Sequence, residues 1–236
     1  MAIVNHETRE VTFKIVYAGT PVGGKTTNLA YVHSRIEPGQ RGDMVSLATS
    51  TDRTLFFDFV PINTLVINGY QTKFLLYTVP GQVHYNATRQ LVLRGADGVV
   101  FVADSQMERL EENVESARTL MKNLRDNGMS LEELPLVLQY NKRDLPNAAP
   151  PAYMDYLLNS GPSPFPSFEA VATTGVNVFA TLNAVSQKVL QQFHKTVGSS
   201  SPTPPAGAGT PARATGPAGP SSTPTPSPMG RHLQTA

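Results

Sequence analysis

One short stretch, Gly19-Thr20-Pro21-Val22-Gly23-Gly24-Lys25-Thr26, constrains this chain more than any other. It matches the pattern G-x-x-x-x-G-K-[ST] in full. The β-branched run over residues 11–18 precedes it and reads as a buried strand, and residues 26–35 follow as a helix. In that setting main-chain amides converge on phosphate oxygens, and glycines let the backbone approach without a Cβ. The helix start adds its own amides and dipole. Lys25 offers a cation to the β and γ phosphates, and the Thr26 hydroxyl offers an oxygen to Mg²⁺. Gly19, Thr20, Val22, Gly23, Gly24, Lys25, Thr26 and Thr27 are the candidate phosphate-side contacts.

The rest of the chain repeats the strand–helix alternation. Residues 98–103 and 136–140 read as buried strands, and 168–171 as a short one. Residues 106–127 and 176–195 read as amphipathic helices. Residues 37–52 are polar and read as irregular. The apolar runs 55–60 and 65–67 flank Pro61, which predicts an edge position or a break. Asn68-Gly69 predicts a hairpin turn into an antiparallel return strand over 73–79. The fold class expected is α/β: a mostly parallel sheet with one antiparallel hairpin edge and helices on both faces.

A phosphate loop does not select a base; Asn141-Lys142-Arg143-Asp144, at the end of the strand over 136–140, does. The Asp144 carboxylate can accept both N1–H and the 2-amino group of guanine. Adenine has no 2-amino group and would set its N1 lone pair against the acid, a polar mismatch that discriminates strongly. Asn141 would hold the neighbouring loop, and the Lys142 stem would cover the base plane. The run Val171-Ala172-Thr173-Thr174-Gly175 either brings the Ala172 amide to guanine O6 or is a plain strand–helix turn.

Taken in order, these elements resemble the Ras-like small GTPases, and the middle of the chain is similar to the bacterial MglA type. The residues that carry the likeness are KIVY at 14–17, GKTTNL at 24–29, SLATSTDRTLFFDF at 46–59, LYTVPGQ at 76–82, DGVVFVADSQ at 97–106 and QYNKRDLPN at 139–147. The resemblance implies a P-loop NTPase G domain that binds GTP or GDP with Mg²⁺ and hydrolyses GTP as a polarity switch in motile bacteria. It implies a roadblock-fold, MglB-like activating dimer as partner, together with polarity or motility effectors. By the same likeness Thr54 contacts Mg²⁺ and the γ phosphate beside Thr26, Arg53 acts as an arginine finger from the same chain, the Gly81 amide senses the γ phosphate, and Gln82 orients the attacking water. Read alone, Arg53 is a surface charge paired with Asp52.

Two positions depart from the wider Ras pattern. Thr78 stands where an acid supports the metal, with Asp52 or Asp58 as substitutes, and Pro21 stands where glycine is common. Pro21 predicts slow hydrolysis without an activator, and Thr78 and Pro21 together keep open an alternative: a guanine-nucleotide-binding interaction module with little hydrolysis. A P-loop kinase using ATP is the third reading, opposed by Asn141–Asp144. Tyr85, Leu91 and Leu93 are candidate partner contacts, while Phe57 and Phe59 share a face that reads as core.

Composition bounds the surroundings. The 236 residues carry a net charge of +1, which argues for no nucleic-acid partner. There is no cysteine, so thiolate chemistry, prenylation and palmitoylation are excluded, and Ala2 excludes myristoylation. No covalent membrane anchor is expected, and a cytoplasmic protein with recruitment to a cell pole is. Nine of the chain's 20 prolines lie in residues 199–236, a stretch almost wholly Pro, Ser, Thr, Ala and Gly. Such a segment buries too little apolar surface to fold. The expected division is a G domain over 1–198 and a disordered tail over 199–236, either inert or a docking peptide.

Overall fold

The computed structural model describes residues 2–48, 56–67, 69–80 and 86–198. In chain order the strands are β1 (Ile3–Asn5), β2 (Glu10–Gly19), β3 (Val45–Ala48), β4 (Phe56–Ile67), β5 (Tyr70–Thr78), β6 (Gly98–Asp104), β7 (Leu136–Asn141) and β8 (Ser167–Glu169). The helices are α1 (Lys25–Arg35), α2 (Asn86–Leu93), α3 (Leu110–Asp126), α4 (Pro151–Leu158) and α5 (Val178–Gly198). The sheet runs β3-β4-β5-β2-β6-β7-β8. Its pairings from β5 to β8 are parallel, and the β4–β5 hairpin is antiparallel. This is the expected α/β architecture, extended by two short antiparallel strands, β3 on β4 and β1 on β2.

Period-two alternation along the strands separates two apolar layers. Phe13, Ile15 and Tyr17 of β2, with Val100 and Val102 of β6, face α1 and α5 through Leu29, Val32, Leu182 and Val185. Val16 and Ala18, with Val99 and Phe101, face α2, α3 and α4 through Leu93, Leu120, Leu124 and Met154. Burying each of the larger aliphatic side chains contributes ~1.5–3 kcal/mol. Among the described residues no helix is long and apolar enough to cross a membrane.

Pro61 does not break its strand. The Pro61 carbonyl accepts from Gly42 N at 3.0 Å. A strand residue's nitrogen and carbonyl face the same side, so the proline's missing N–H lies on that side, away from β5, and β3 has already ended at the Val45–Phe59 pair. The irregularity falls instead between Asn63 and Val66. β3 itself lies in the stretch that reads as irregular; four residues carry too little periodicity, and β4 supplies the pairing. The short helices α2 and α4 carry no clear sequence signal. Pro150-Pro151 looks like a break, yet Pro151 opens α4, where a proline's missing N–H costs nothing.

Candidate functional site

β2 ends in the phosphate-binding loop and α1 begins at Lys25. Gly19 adopts φ +123°, and a Cβ there would overlap the Val102 carbonyl of β6. Gly24 adopts φ +100°, and a Cβ there would overlap the Asn141 carboxamide. Both positions therefore require glycine. Lys25 is buried and folds back over the loop, donating to the carbonyls of Gly19 at 3.0 Å and Thr20 at 2.6 Å. Burial first, and the positive Arg89 second, lower its pKa to about 8. Arg89, on α2, is itself buried, and burial lowers its pKa too. Nothing in the sequence marks Arg89, since a charged residue on a short helix reads as solvated surface.

Asn141 closes β7 beneath the loop. Its Nδ2 donates to Gly23 O at 2.8 Å, and its Oδ1 accepts from Ala172 N at 2.9 Å. One buried carboxamide thus ties the phosphate loop to the turn after β8, and the Ala172 amide is engaged by it. Lys142, at φ +64°, donates from Nζ to Asp104 Oδ2 at 2.6 Å. Asp104 is wholly buried, and its main chain makes two bonds with the Asn113 carboxamide, Asp104 N to Oδ1 at 2.9 Å and Nδ2 to Asp104 O at 2.7 Å. Thr20 Oγ1 donates to the same Asn113 Oδ1 at 2.5 Å. The Thr20 hydroxyl therefore points into the protein, and the backbone is the part of Thr20 left for a ligand. Asp144 is exposed and lines a cavity of about 250 Å³ together with Val22, Gly24, Thr27, Asn141 and Lys142. Ala172 lines it too. The loop at 19–26 and the Asn141–Asp144 tetrad, far apart in the chain, meet in this hollow.

A second cluster lies at the start of α1. Thr26 Oγ1 donates to Asp58 Oδ2 at 2.5 Å, Ser46 Oγ to Asp58 Oδ1 at 2.6 Å, and Thr78 Oγ1 to Asp58 Oδ2 at 3.0 Å. Asp58 N donates back to Thr78 Oγ1 at 2.8 Å. Of the two acids named as substitutes for the one missing at Thr78, Asp58 is brought beside it across the β4–β5 ladder. The donors are all hard oxygens, the set that suits Mg²⁺.

Arg53, Thr54, Gly81 and Gln82 lie outside the described residues, as do Asp52 and Tyr85, and so does the tail from 199 onward. Of the candidate partner contacts, Leu93 is 1% exposed and belongs to the core, and Leu91 is 56% exposed. Phe59 is half-buried and packs against Tyr77 with ring centroids 4.8 Å apart, whereas the Phe57 side chain lies outside the described part of the molecule.

The chain is similar to the mutual gliding-motility protein MglA of Myxococcus xanthus (strain DK1622). The two are 51% identical over 195 residues, which span 83% of this chain and 99% of the relative. No family model matches the chain.

Proposed function

The chain belongs to the MglA family, and from that premise we propose that it is a small GTPase switch. It binds and hydrolyses GTP and serves gliding motility through control of cell polarity. The observation that carries the proposal is the cavity in which Asp144, Asn141 and Lys142 meet the loop residues Val22 and Gly24 and the helix residue Thr27. A guanine seated there places its amino edge at Asp144 and its ring over the Lys142 stem. The phosphates run to the amides of Gly23, Gly24, Lys25 and Thr26, and Lys25 exchanges loop carbonyls for phosphate oxygens.

Thr26 and Asp58 would hold Mg²⁺, Thr26 directly and Asp58 beside it, with Thr54 joining from the segment between β3 and β4. The ion supplies positive charge on the phosphate oxygens when bound. Gln82 orients the attacking water, and Arg53 offsets charge on the transferring group. Gly81 reports the γ phosphate through its amide. These last assignments rest on the family resemblance. The catalytic unit is residues 1–198. Hydrolysis is slow alone, because Gln82 and Arg53, from two separate segments, must be placed together beside the Pro21 ring, and a roadblock-type, MglB-like dimer places them. The GTP form is the one recruited to a cell pole.

Single-turnover GTP hydrolysis by wild type, Gln82→Ala and Arg53→Ala, with and without the roadblock partner, tests this. Partner-stimulated turnover in wild type alone is expected. Equal rates in all three discard the catalytic assignments, and guanine-nucleotide binding without turnover leaves the interaction-module reading. Displacement of GDP by ATP would favour the kinase reading.

A further inference from the structure

Val22 lies in the phosphate-binding loop at φ +58°, and the residue is 82% exposed. A β-branched residue in the left-handed region carries a steric penalty that glycine does not. An exposed side chain gains no packing to offset it, so the conformation must be held through the main chain. Two bonds hold it: Gly23 N donates to Thr20 O at 3.1 Å, closing a turn around Pro21 and Val22, and Arg109 Nη2 donates to Pro21 O at 2.9 Å, fixing which way the peptide between them faces.

Across a trans peptide the carbonyl and the next N–H point in opposite directions. Drawing Pro21 O toward Arg109 therefore turns the Val22 N–H away from it. Pro21 has a fixed φ, which limits the ways this peptide can tilt. The guanidinium is itself aimed from two sides. Nη1 donates to Glu112 Oε1 at 2.6 Å, and Nε stands 3.9 Å from Asp104 Oδ2, the oxygen that receives Lys142. A planar fork can serve three partners in fixed directions, which a lysine ammonium cannot.

We propose that Arg109 is a positioning residue for nucleotide binding: by holding the Pro21 carbonyl it keeps Val22 in the left-handed conformation and presents the Val22 amide to the phosphates. Arg109 sits in the 3-10 turn before α3, far from the loop in sequence. The inference rests on the guanine-nucleotide reading above and adds to it a residue outside the motifs.

The test is the dissociation rate of a fluorescent GDP analogue from the full chain, with the melting temperature followed in parallel. Arg109→Met is expected to release GDP about tenfold faster, with Arg109→Lys between it and wild type. Val22→Gly removes the need for the brace, because glycine adopts φ > 0 unaided. In the Val22→Gly background, Arg109→Met should therefore change the rate by less than about threefold. A purely structural role would lower the melting temperature alike in both backgrounds and would not be rescued. The same factor in both backgrounds, or a rate for Arg109→Met within about twofold of wild type, overturns the proposal. If wild type itself binds no GDP, the nucleotide reading has failed and the proposal falls with it; a wild type that binds GDP beside an unchanged Arg109→Met sinks the proposal alone.

Discussion

The two ends of the cleft are built differently. At the base end, Asn141, Asp104, Asn113 and Thr20 are all buried and bonded to main chain or to one another. At the end proposed for the metal, three hydroxyls, those of Thr26, Ser46 and Thr78, gather on one carboxylate, Asp58. Buried, mutually satisfied polar groups resist rearrangement, because each broken bond leaves an unpaired group away from water. Hydroxyl rotors on a partly exposed acid reorient at little cost. The Asn141 end is thus shaped by its own bonds, whereas the hydroxyls around Asp58 can turn to other partners, in the proposed reading a cation and its waters. The proposed switch would use this division: one end that holds the nucleotide in every state, and one that responds to its γ phosphate.

Substitutions at each end test that contrast. The largest effect is expected at Asp144. Asp144→Ala should weaken GDP about a thousandfold, and Asp144→Asn should shift preference to xanthosine diphosphate, whose 2-oxo group accepts from the new amide. Competition binding with the two nucleotides measures both; retained guanine preference would mean that another group reads the base. Next, Lys142→Met leaves Asp104 buried without its ammonium. It should cost about 2 kcal/mol of stability in the nucleotide-free protein, less than additively with Asp104→Asn, as read by urea unfolding. A purely ligand-dependent loss would show that the base end is not prebuilt.

At the metal end, Asp58→Ala should leave nucleotide-free stability within about 1 kcal/mol while raising the Mg²⁺ concentration that half-protects bound GDP about tenfold. Unchanged Mg²⁺ dependence would remove Asp58 from the metal's surroundings. The smallest effect concerns Lys25, whose pKa is lowered to about 8 by burial and by Arg89. Phosphates restore the charged form, so nucleotide binding near pH 8.5 should take up protons, and affinity should fall a few-fold between about pH 8 and 9. In the free protein the sign is opposite. Between about 8 and 10.5 the unfolded lysine keeps its proton and the folded one does not, so stability rises with pH across that window. Calorimetry in buffers of different ionisation enthalpy distinguishes the two, and a buffer-independent heat would refute the uptake.

Much of the cleft is legible in the amino-acid sequence, for a reason particular to each residue. Gly19 and Gly24 are required by backbone geometry, and Lys25 and Thr26 open a helix, so their roles are written in local order. Asn141 closes a strand and Asp144 follows in the turn after it, and their spacing is what suggests the chemistry. Asp58 is visible there only as one of two acids, because its place beside Thr78 depends on the β4–β5 ladder. Thr20 reads as a ligand contact, yet its hydroxyl turns inward to Asn113, a residue with no motif of its own. Leu93 is open in the sequence to either a partner contact or the core, and it lies in the core because the register of α2 against the sheet is set by packing.

The order of residues along the chain is enough to specify a phosphate loop between strand and helix, an acid suited to guanine and the alternation that makes a doubly covered parallel sheet, since each depends on neighbours a few positions apart. That Asp58 stands beside Thr26, that the Asn113 and Asn141 carboxamides brace the loop, and that Arg109 reaches Pro21 are settled by the packing of β4, β6, β7 and α3 around the cleft. Those contacts join residues tens of positions apart, and their distances exist only once the sheet has closed around its two apolar layers.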